Sequence, residues 1–270
     1  MLLKISHLTK YHFDDPVRYA LQQIRLMPRS GVGQDVARWD ITVDGGVKEL
    51  EFDDQFSNHA MLVSINPDQT DISIRCEGEV ETTNLHGIIG QNVGFAPLWL
   101  FLRSTPLTEP GSRVQKLIKQ LGRDYETEIV MMHELSRLIG EIVPYQTGQT
   151  HAETTAEEAL IASNGVCQDH AHIFVSAVRK MGYPARYVSG YLMMDDRIDQ
   201  EATHAWAEAY IQDIGWVGFD VSNGISPDDR YIRVATGLDY KDAAPISGLR
   251  IGSGTESMGE SMEVSIQVQQ

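Results

Sequence analysis

The sequence predicts an α+β protein in which strands come first, helices follow, and strands then return. In roughly the first 80 residues, apolar and polar positions alternate in short runs, as in strands with one buried face. Between about residues 111 and 181, apolar positions recur at the 3.6-residue spacing of helices. Strand-like runs then reappear without the regular strand-helix alternation of a parallel sheet, which favours the α+β class.

The N-terminal region consists of strand-like runs separated by short turns rich in Gly, Pro and Asp. These runs span residues 20–26, 36–43, 47–56, 61–65 and 71–80. The sequence Asp44-Gly45-Gly46 predicts a hairpin turn between two of them, because glycine readily adopts the positive φ angles of such turns. We therefore expect an antiparallel, β-sandwich-like domain over residues 1–100.

A change of composition near residues 95–105 predicts the end of this domain, and helical patterns begin after it. The predicted helices span residues 111–121, 127–143, 155–163 and 167–181. The third begins with a capping box, in which the Thr155 hydroxyl and the Glu158 carboxylate satisfy free backbone N–H groups. The fourth ends at Gly182, with Pro184 just beyond, and carries an apolar stripe on one side.

Strand-like runs follow the fourth helix at residues 186–193, 204–211 and 216–221. The last two predict a hairpin closed around residues 213–215. Helices packed on this antiparallel sheet would form a core domain over residues 101–245. Residues 246–270 predict a glycine loop and a final strand, and the sequence leaves open whether that strand returns to the N-terminal sheet.

Charge and composition restrict the partners of the chain. The formal net charge is −16 and the pI is about 4.9, with no local Lys/Arg cluster, which disfavours nucleic acid and anionic membranes as partners. The N-terminus lacks a signal-peptide pattern, and no run of about 20 apolar residues occurs. We expect a cytoplasmic protein without a cofactor, and the sequence does not determine its oligomeric state.

The two cysteines have different surroundings, and two cysteines cannot form a disulfide framework. Cys76 lies in an alternating run with Ile74 and Val80 on the same side, so we expect it in the core. Cys167 heads the apolar stripe of the fourth helix. Aligned peptide dipoles at a helix N-terminus, together with a nearby imidazolium, stabilise a thiolate.

A thiol, an imidazole and a carboxylate follow one another at Cys167, His204 and Asp220. His204 begins one strand of the predicted hairpin and Asp220 ends the other, so strand pairing would bring the two side chains together. In such a pair the carboxylate orients the imidazole toward the nucleophile. First-turn backbone N–H groups, with that of Cys167 as first candidate, would supply an oxyanion hole. The pattern predicts a Cys-His-Asp acyl-transfer site.

Further site-lining or oxyanion candidates are Gln168, Asp169, Trp206 and Asn223. Asp169 is more simply explained as complementing the helix dipole in the first turn. Trp206 is most simply a wall of the cleft or core, and it can also shield the His-Asp pair from water. All four lie within three residues of a predicted catalytic side chain.

His170 and His172 raise the alternative of a zinc site with Cys167. A helix brings His170 near Cys167, but it turns His172 about 140° away. Three ligands from this segment would therefore have poor geometry for zinc. We expect no metal site.

Four motifs follow one another along the chain: Gly165-Val166-Cys167-Gln168-Asp169, residues 182–191, His204-Ala205-Trp206 and Gly218-Phe219-Asp220. In this order, and together with residues 16–18, 25–28 and 154–160, they resemble the bacterial transglutaminase-like family, which includes proteins classed as cysteine proteases. The resemblance implies an N-terminal β-sandwich-like region, a papain-like transglutaminase core, and a triad at Cys167, His204 and Asp220.

This chain departs from the family pattern after the aspartate, where Val221-Ser222 precedes Asn223-Gly224 instead of the common Pro-Thr. The departure concerns the loop and not the triad residues. The calcium dependence of animal transglutaminases does not follow from the resemblance, because no Asp/Glu loop has suitable ligand spacing.

We therefore expect thiol-dependent acyl transfer on a peptide or protein substrate, through a thioester. Hydrolysis by a protease or amidase is favoured over cross-linking, because transfer to an amine requires a dedicated water-excluding tunnel for which the sequence has no signal. Two alternatives stay open: a non-catalytic peptide-binding module of the same fold, and an acyltransferase similar to arylamine N-acetyltransferases, which share the Cys-His-Asp order.

Overall fold

The computed structural model describes the chain except for residues 18, 92–93, 123, 195–198, 201–202 and 252–259. The first strands are β1 Leu2–Val17, β2 Tyr19–Met27, β3 Gln34–Asp44, β4 Gly46–Asp53, β5 His59–Ile65, β6 Gln69–Thr82 and β7 Ile88–Gly90. Helices α1 Ser112–Leu121, α2 Glu128–Ile142, α3 Ala156–Ala162 and α4 Cys167–Lys180 follow. The remaining elements are β8 Ala185–Leu192, β9 Asp199–Gln200, β10 His204–Ile211, β11 Gly215–Phe219, β12 Tyr231–Gly237, α5 Tyr240–Ala243, β13 Ile246–Ile251 and β14 Glu260–Gln269.

The strands form three antiparallel sheets. Two of them, ordered β3-β6-β1-β14-β9 and β13-β2-β5-β4, face each other across an apolar core that includes Ile24, Val63 and Cys76. The third sheet, ordered β12-β8-β10-β11-β7, supports the helices. This arrangement of a β-sandwich beside a helix-covered antiparallel sheet confirms the predicted fold class.

The end of the chain adds strands to both N-terminal sheets. β14 pairs with β1, from Lys4 opposite Gln269 to Phe13 opposite Glu260, and β13 pairs with β2. In the other direction, β7 lies within residues 1–100 of the sequence yet pairs with β11 of the third sheet. Of the predicted glycine loop, Gly252, Gly254 and Gly259 lie outside the described residues.

The prediction of a hairpin at Asp44-Gly45-Gly46 is wrong. β3 pairs with β6 and β4 pairs with β5, so the chain crosses from one sheet to the other at this point. Gly45 has a φ of +84°, and a Cβ there would lie 2.8 Å from a backbone oxygen. The glycine is needed for a sharp change of direction, which a sequence pattern cannot distinguish from a hairpin turn.

The alternating pattern does not identify β1, because polar residues interrupt the inward face of this strand. His7 and Thr9 point into the protein between apolar residues and are almost completely buried. The imidazole of His7 bonds the Tyr191 hydroxyl at 2.7 Å and the Thr9 hydroxyl at 2.9 Å. Burial lowers the pKa of His7 to about 4, so the ring is neutral. Satisfied hydrogen bonds allow this polar pair to replace apolar residues in the interior.

Helix α4 is enclosed on all sides, and the polar face opposite its apolar stripe is buried as well. Arg179, for example, donates to the carbonyl oxygens of Phe101, Ala185 and Leu238. This guanidinium ties the C-terminal end of the helix to three other segments of the core. Because α4 is held so completely, its first turn is a rigid platform. Among the described residues, no helix has the length and apolar character needed to cross a membrane.

Candidate active site

Cys167 is the first residue of α4 and its side chain is half-buried. The preceding turn is held by Asp169, whose carboxylate accepts hydrogen bonds from the Val166 N–H at 2.8 Å and the Thr150 hydroxyl at 2.7 Å. A Cβ on Gly165 would lie 2.8 Å from the Asp169 side chain, so the glycine permits this close cap. First-turn N–H groups of a helix have no intrahelical acceptor and point beyond its end. Cys167 therefore lies beside donors suited to an oxyanion.

The other cysteine, Cys76, is a core residue. It is completely buried in the N-terminal core. Burial, with a smaller contribution from the charge of Asp40, raises the pKa of the Cys76 thiol to about 12. The thiol is therefore protonated at neutral pH, as expected for a core residue.

His204 begins β10 and lies between Asp220 and Cys167. Its Nε2 is 2.6 Å from Asp220 Oδ2, which leaves Nδ1 as the ring nitrogen available to the thiol. Burial lowers the pKa of His204, but hydrogen bonds and charge interactions with Asp220 and Cys167 outweigh that effect and raise it to about 10. The imidazolium form is thus favoured at neutral pH. The structure brings together all three residues of the predicted triad.

Asp220 follows β11 and is completely buried. The β10–β11 pairing sets Ala207 opposite Phe219, so Asp220 emerges near the start of β10, as the predicted hairpin requires. Its carboxylate accepts hydrogen bonds from the side chains of Tyr231 and Asn223, both at 2.7 Å, and from the Asn223 N–H at 3.2 Å. Burial opposes ionisation, but His204 and these donors hold the pKa of Asp220 below its usual range. The carboxylate is therefore charged where it meets the imidazole.

Trp206 and Tyr231 cover the His-Asp pair. The Trp206 ring is stacked on His204 with centroids 6.3 Å apart, and Tyr231 meets Trp206 edge-on at 5.4 Å. Both side chains are buried. Together they exclude water from one side of the pair, which strengthens its electrostatic interaction. Tyr231 has no motif that singles it out in the sequence, because only the pairing of β12 with β8 brings it here.

The other predicted lining residues have separate positions. Asn223 lies on the exposed side of Asp220 and orients the carboxylate. Asp169 caps the turn before Cys167, because its carboxylate accepts from the Val166 N–H. The Gln168 amide donates to the Ala152 carbonyl at 3.0 Å, in the loop before α3.

His170 and His172 are held by contacts other than a metal. His170 donates from Nε2 to the Val143 carbonyl at 2.7 Å and bonds the Ser222 hydroxyl through Nδ1 at 2.8 Å, which ties α4 to the loop after Asp220. His172 accepts from the Tyr240 N–H at 3.1 Å, and burial lowers its pKa to about 4. Among the described residues, no three His, Cys, Asp or Glu side chains are grouped to hold a metal ion.

Comparisons with known proteins agree with this architecture. Residues 115–221 match the core of the transglutaminase-like superfamily, and residues 3–81 match the bacterial transglutaminase-like N-terminal region. The chain is 26% identical over 276 aligned positions to an uncharacterized protein of Mycobacterium leprae, covering 97% of this chain and 98% of the relative. An uncharacterized protein of Mycobacterium tuberculosis is 28% identical over 293 positions, with 98% and 91% covered.

A solved structure from Cytophaga hutchinsonii, described as a "Putative Cysteine Protease", has the same fold. It superposes with a TM-score of 0.77 over 100% of this chain and 98% of its own, at 20% sequence identity. At that identity the likeness concerns the fold and not the substrate. The predicted papain-like, transglutaminase-like core is confirmed by these matches.

Proposed function

Because the chain belongs to the bacterial transglutaminase-like proteins, we propose that it is a thiol-dependent acyl-transfer enzyme acting on a peptide or carboxamide substrate. The observation that carries the proposal is the 2.6 Å contact between His204 Nε2 and Asp220 Oδ2, with Cys167 on the other side of the ring. A buried carboxylate in this position fixes both the tautomer and the orientation of the imidazole.

In the first step, the Cys167 thiolate attacks the carbonyl carbon of the substrate. The new C–S bond pushes the carbonyl electrons onto oxygen, and the first-turn amide of Cys167 donates to that oxyanion. His204 then gives its proton from Nδ1 to the nitrogen of the leaving group. The C–N bond breaks, the amine departs, and the thioester on Cys167 remains.

In the second step, a nucleophile replaces the amine. Neutral His204 takes a proton from water, and the resulting hydroxide attacks the thioester and releases the acid and the thiolate. We favour water because hydrolysis needs only this base, whereas transfer to a primary amine requires a site that keeps water out. Throughout both steps Asp220 stays ionised and stabilises the imidazolium.

The test is a mass-spectrometric screen of peptides that contain Gln, Asn and ordinary amide bonds, with and without a primary amine. Chain cleavage identifies a protease, loss of ammonia an amidase, and amine incorporation a transamidase. Turnover of acyl-CoA in place of peptides would favour an acetyltransferase-like enzyme. Cys167→Ala must abolish the reaction, and Cys76→Ala, which removes the other thiol from a fully buried site, must preserve it in the folded protein. Unchanged turnover in Cys167→Ala would refute the mechanism.

A further inference from the structure

A cavity apart from the triad lies between the N-terminal strands and the third sheet. Its volume is about 310 Å³. The N-terminal side contributes Phe56 and Ile89 to its wall, and the core contributes Phe101, Trp216, Arg186 and Arg233. Binding sites for small molecules begin at about this size and combine apolar walls with a few fixed polar groups.

The two arginines are held in place by one carboxylate. Glu208, which is completely buried, accepts from Arg186 Nε at 2.6 Å and from Arg233 Nε at 3.0 Å. The Arg186 guanidinium also lies over the Trp216 ring, 4.1 Å from its centroid. Cation–π stacking and the shared carboxylate therefore fix the plane of this guanidinium before any ligand arrives.

The outer nitrogens of both guanidinium groups are available to a ligand. Within the part of the chain that the structure describes, Glu208 is the side-chain acceptor of each, and it takes only the Nε–H groups. Both residues line the cavity, and their side chains keep 13% and 22% of their surface exposed. Free Nη–H pairs in a fixed plane match the two oxygens of an oxyanion.

The local charge is also unbalanced. Two guanidinium cations face one carboxylate, whereas the chain as a whole has a net charge of −16. Burial lowers the pKa of Arg186, and the positive charge of Arg233 lowers it further, whereas the negative charge of Glu208 opposes both effects. A third cation at the wall, Arg29, is paired with Asp53 at 2.7 Å and adds no net charge. One bound anion of single charge would neutralise the site.

We propose that this cavity binds a carboxylate attached to an apolar or aromatic body. The carboxylate would lie on the Nη groups of Arg186 and Arg233, and the body would pack against the aromatic wall. The triad residues Cys167, His204 and Asp220 are not among the residues that line this cavity. Glu208, which holds both arginines, is four residues along β10 from His204, roughly 13 Å at the usual rise of a strand. Binding there requires no acyl transfer, so the proposal stands independently of the function proposed above.

Isothermal titration of the full chain with benzoate and with its neutral analogue benzamide tests the inference. A second pair, N-acetylphenylalanine and its amide, distinguishes a free acid from the carboxyl terminus of a peptide. Either acid binding in preference to its amide supports the proposal and identifies the source. Equal binding of acid and amide, binding of neither acid, or a preference for inorganic phosphate over both acids would overturn it.

Variants locate the site. Arg233→Gln leaves Arg186 to neutralise Glu208, so the protein should fold, and the affinity for the acid should fall about tenfold or more. Arg186→Lys keeps the charge but loses the planar guanidinium and should also weaken binding. Arg38→Gln, an exposed arginine on β3, is the control for net charge and should bind normally. A crystal soaked with 4-bromobenzoate gives a readout without variants: bromine outside this cavity would contradict the proposal.

Discussion

Replacing Asp220 with Asn tests the central relation of the site, the control of His204 by a buried carboxylate. The change preserves shape but removes the charge that lies 2.6 Å from Nε2. Raising the pKa of His204 from 6.5 to about 10 corresponds to roughly 5 kcal/mol in favour of the imidazolium. Asp220 and Cys167 share this effect and overcome burial. Loss of one nearby opposite charge typically moves a pKa by about 1 to 3 pH units.

The assay does not need a known substrate. Iodoacetamide alkylation of Cys167, followed by mass spectrometry from pH 5 to 10, reports the reactivity of its thiol, and NMR titration reports the pKa of His204. In Asp220→Asn we expect a lower pKa of His204, and an alkylation rate at pH 6 to 7 reduced about tenfold or more, because the imidazole beside the thiol loses the carboxylate that orients and charges it. Cys76, buried and with a pKa of about 12, is the internal control and should remain unlabelled in folded protein.

Asp228→Asn is the matched control variant, since it makes the same chemical change at a carboxylate paired with Arg230 instead of His204. It should behave as the native chain does. If Asp220→Asn left both the pKa of His204 and the alkylation rate at native values, the carboxylate would not govern the imidazole. The mechanism built on this contact would then be wrong. Once a substrate is known, the same variant should lower kcat by about 100-fold or more.

Four further predictions concern stability, each measured by urea or thermal unfolding. Gly190→Ala should lower the unfolding free energy by about 2 kcal/mol or more, because the new Cβ would lie 2.0 Å from the Ile232 carbonyl oxygen. In Gly140→Ala, within α2, the new Cβ would meet nothing closer than 3.7 Å, and the unfolding free energy should rise by about 0.5 to 1 kcal/mol because alanine favours the helix. Equal effects of Gly190→Ala and Gly140→Ala would contradict the packing argument. Arg179→Met should destabilise by about 3 kcal/mol or more, since buried carbonyl groups lose a charged donor, and a loss below about 1 kcal/mol would refute that role. Folding raises the pKa of His204, so the protonated imidazole stabilises the folded protein fully below pH 6.5, and this contribution disappears as the pH rises to about 10. The difference in unfolding free energy between the native chain and His204→Gln should therefore shrink from pH 6.5 to 10. A constant or growing difference would contradict this role of His204.

Most secondary-structure elements could be predicted because their apolar residues recur at the spacing typical of a helix or of a strand. Helices α1 to α4 begin and end within two residues of the predicted bounds, and the β10–β11 hairpin forms as expected, whereas the short helix α5 was not predicted. β1 and the path at Gly45 could not be predicted for physical reasons. In β1, buried polar residues break the apolar alternation, and at Gly45 a positive φ serves a crossing between sheets instead of a hairpin.

The candidate site divides in the same way. Cys167, His204 and Asp220 are identified by short motifs, because their residue types and order suit one kind of chemistry. No short motif identifies Tyr231 or His170 as part of the site. Yet Tyr231 donates a hydrogen bond to Asp220, and His170 anchors the loop that follows Asp220. Their contribution depends on which strands and loops become neighbours, and neighbours distant in sequence leave no local pattern.

By itself, the sequence determined the α+β class, the periodic elements, the three candidate residues and their order along the chain. These properties are local, since hydrophobic period, caps and motifs act over a few residues. Only the tertiary structure decided the 2.6 Å His-Asp contact, the aromatic cover over it, and the pKa of His204 near 10. It also created the arginine-lined cavity, whose walls come from segments more than 100 residues apart. The distances, burial and charge interactions at these sites depend on residues that are distant in sequence, and only the packing of the folded chain brings those residues together.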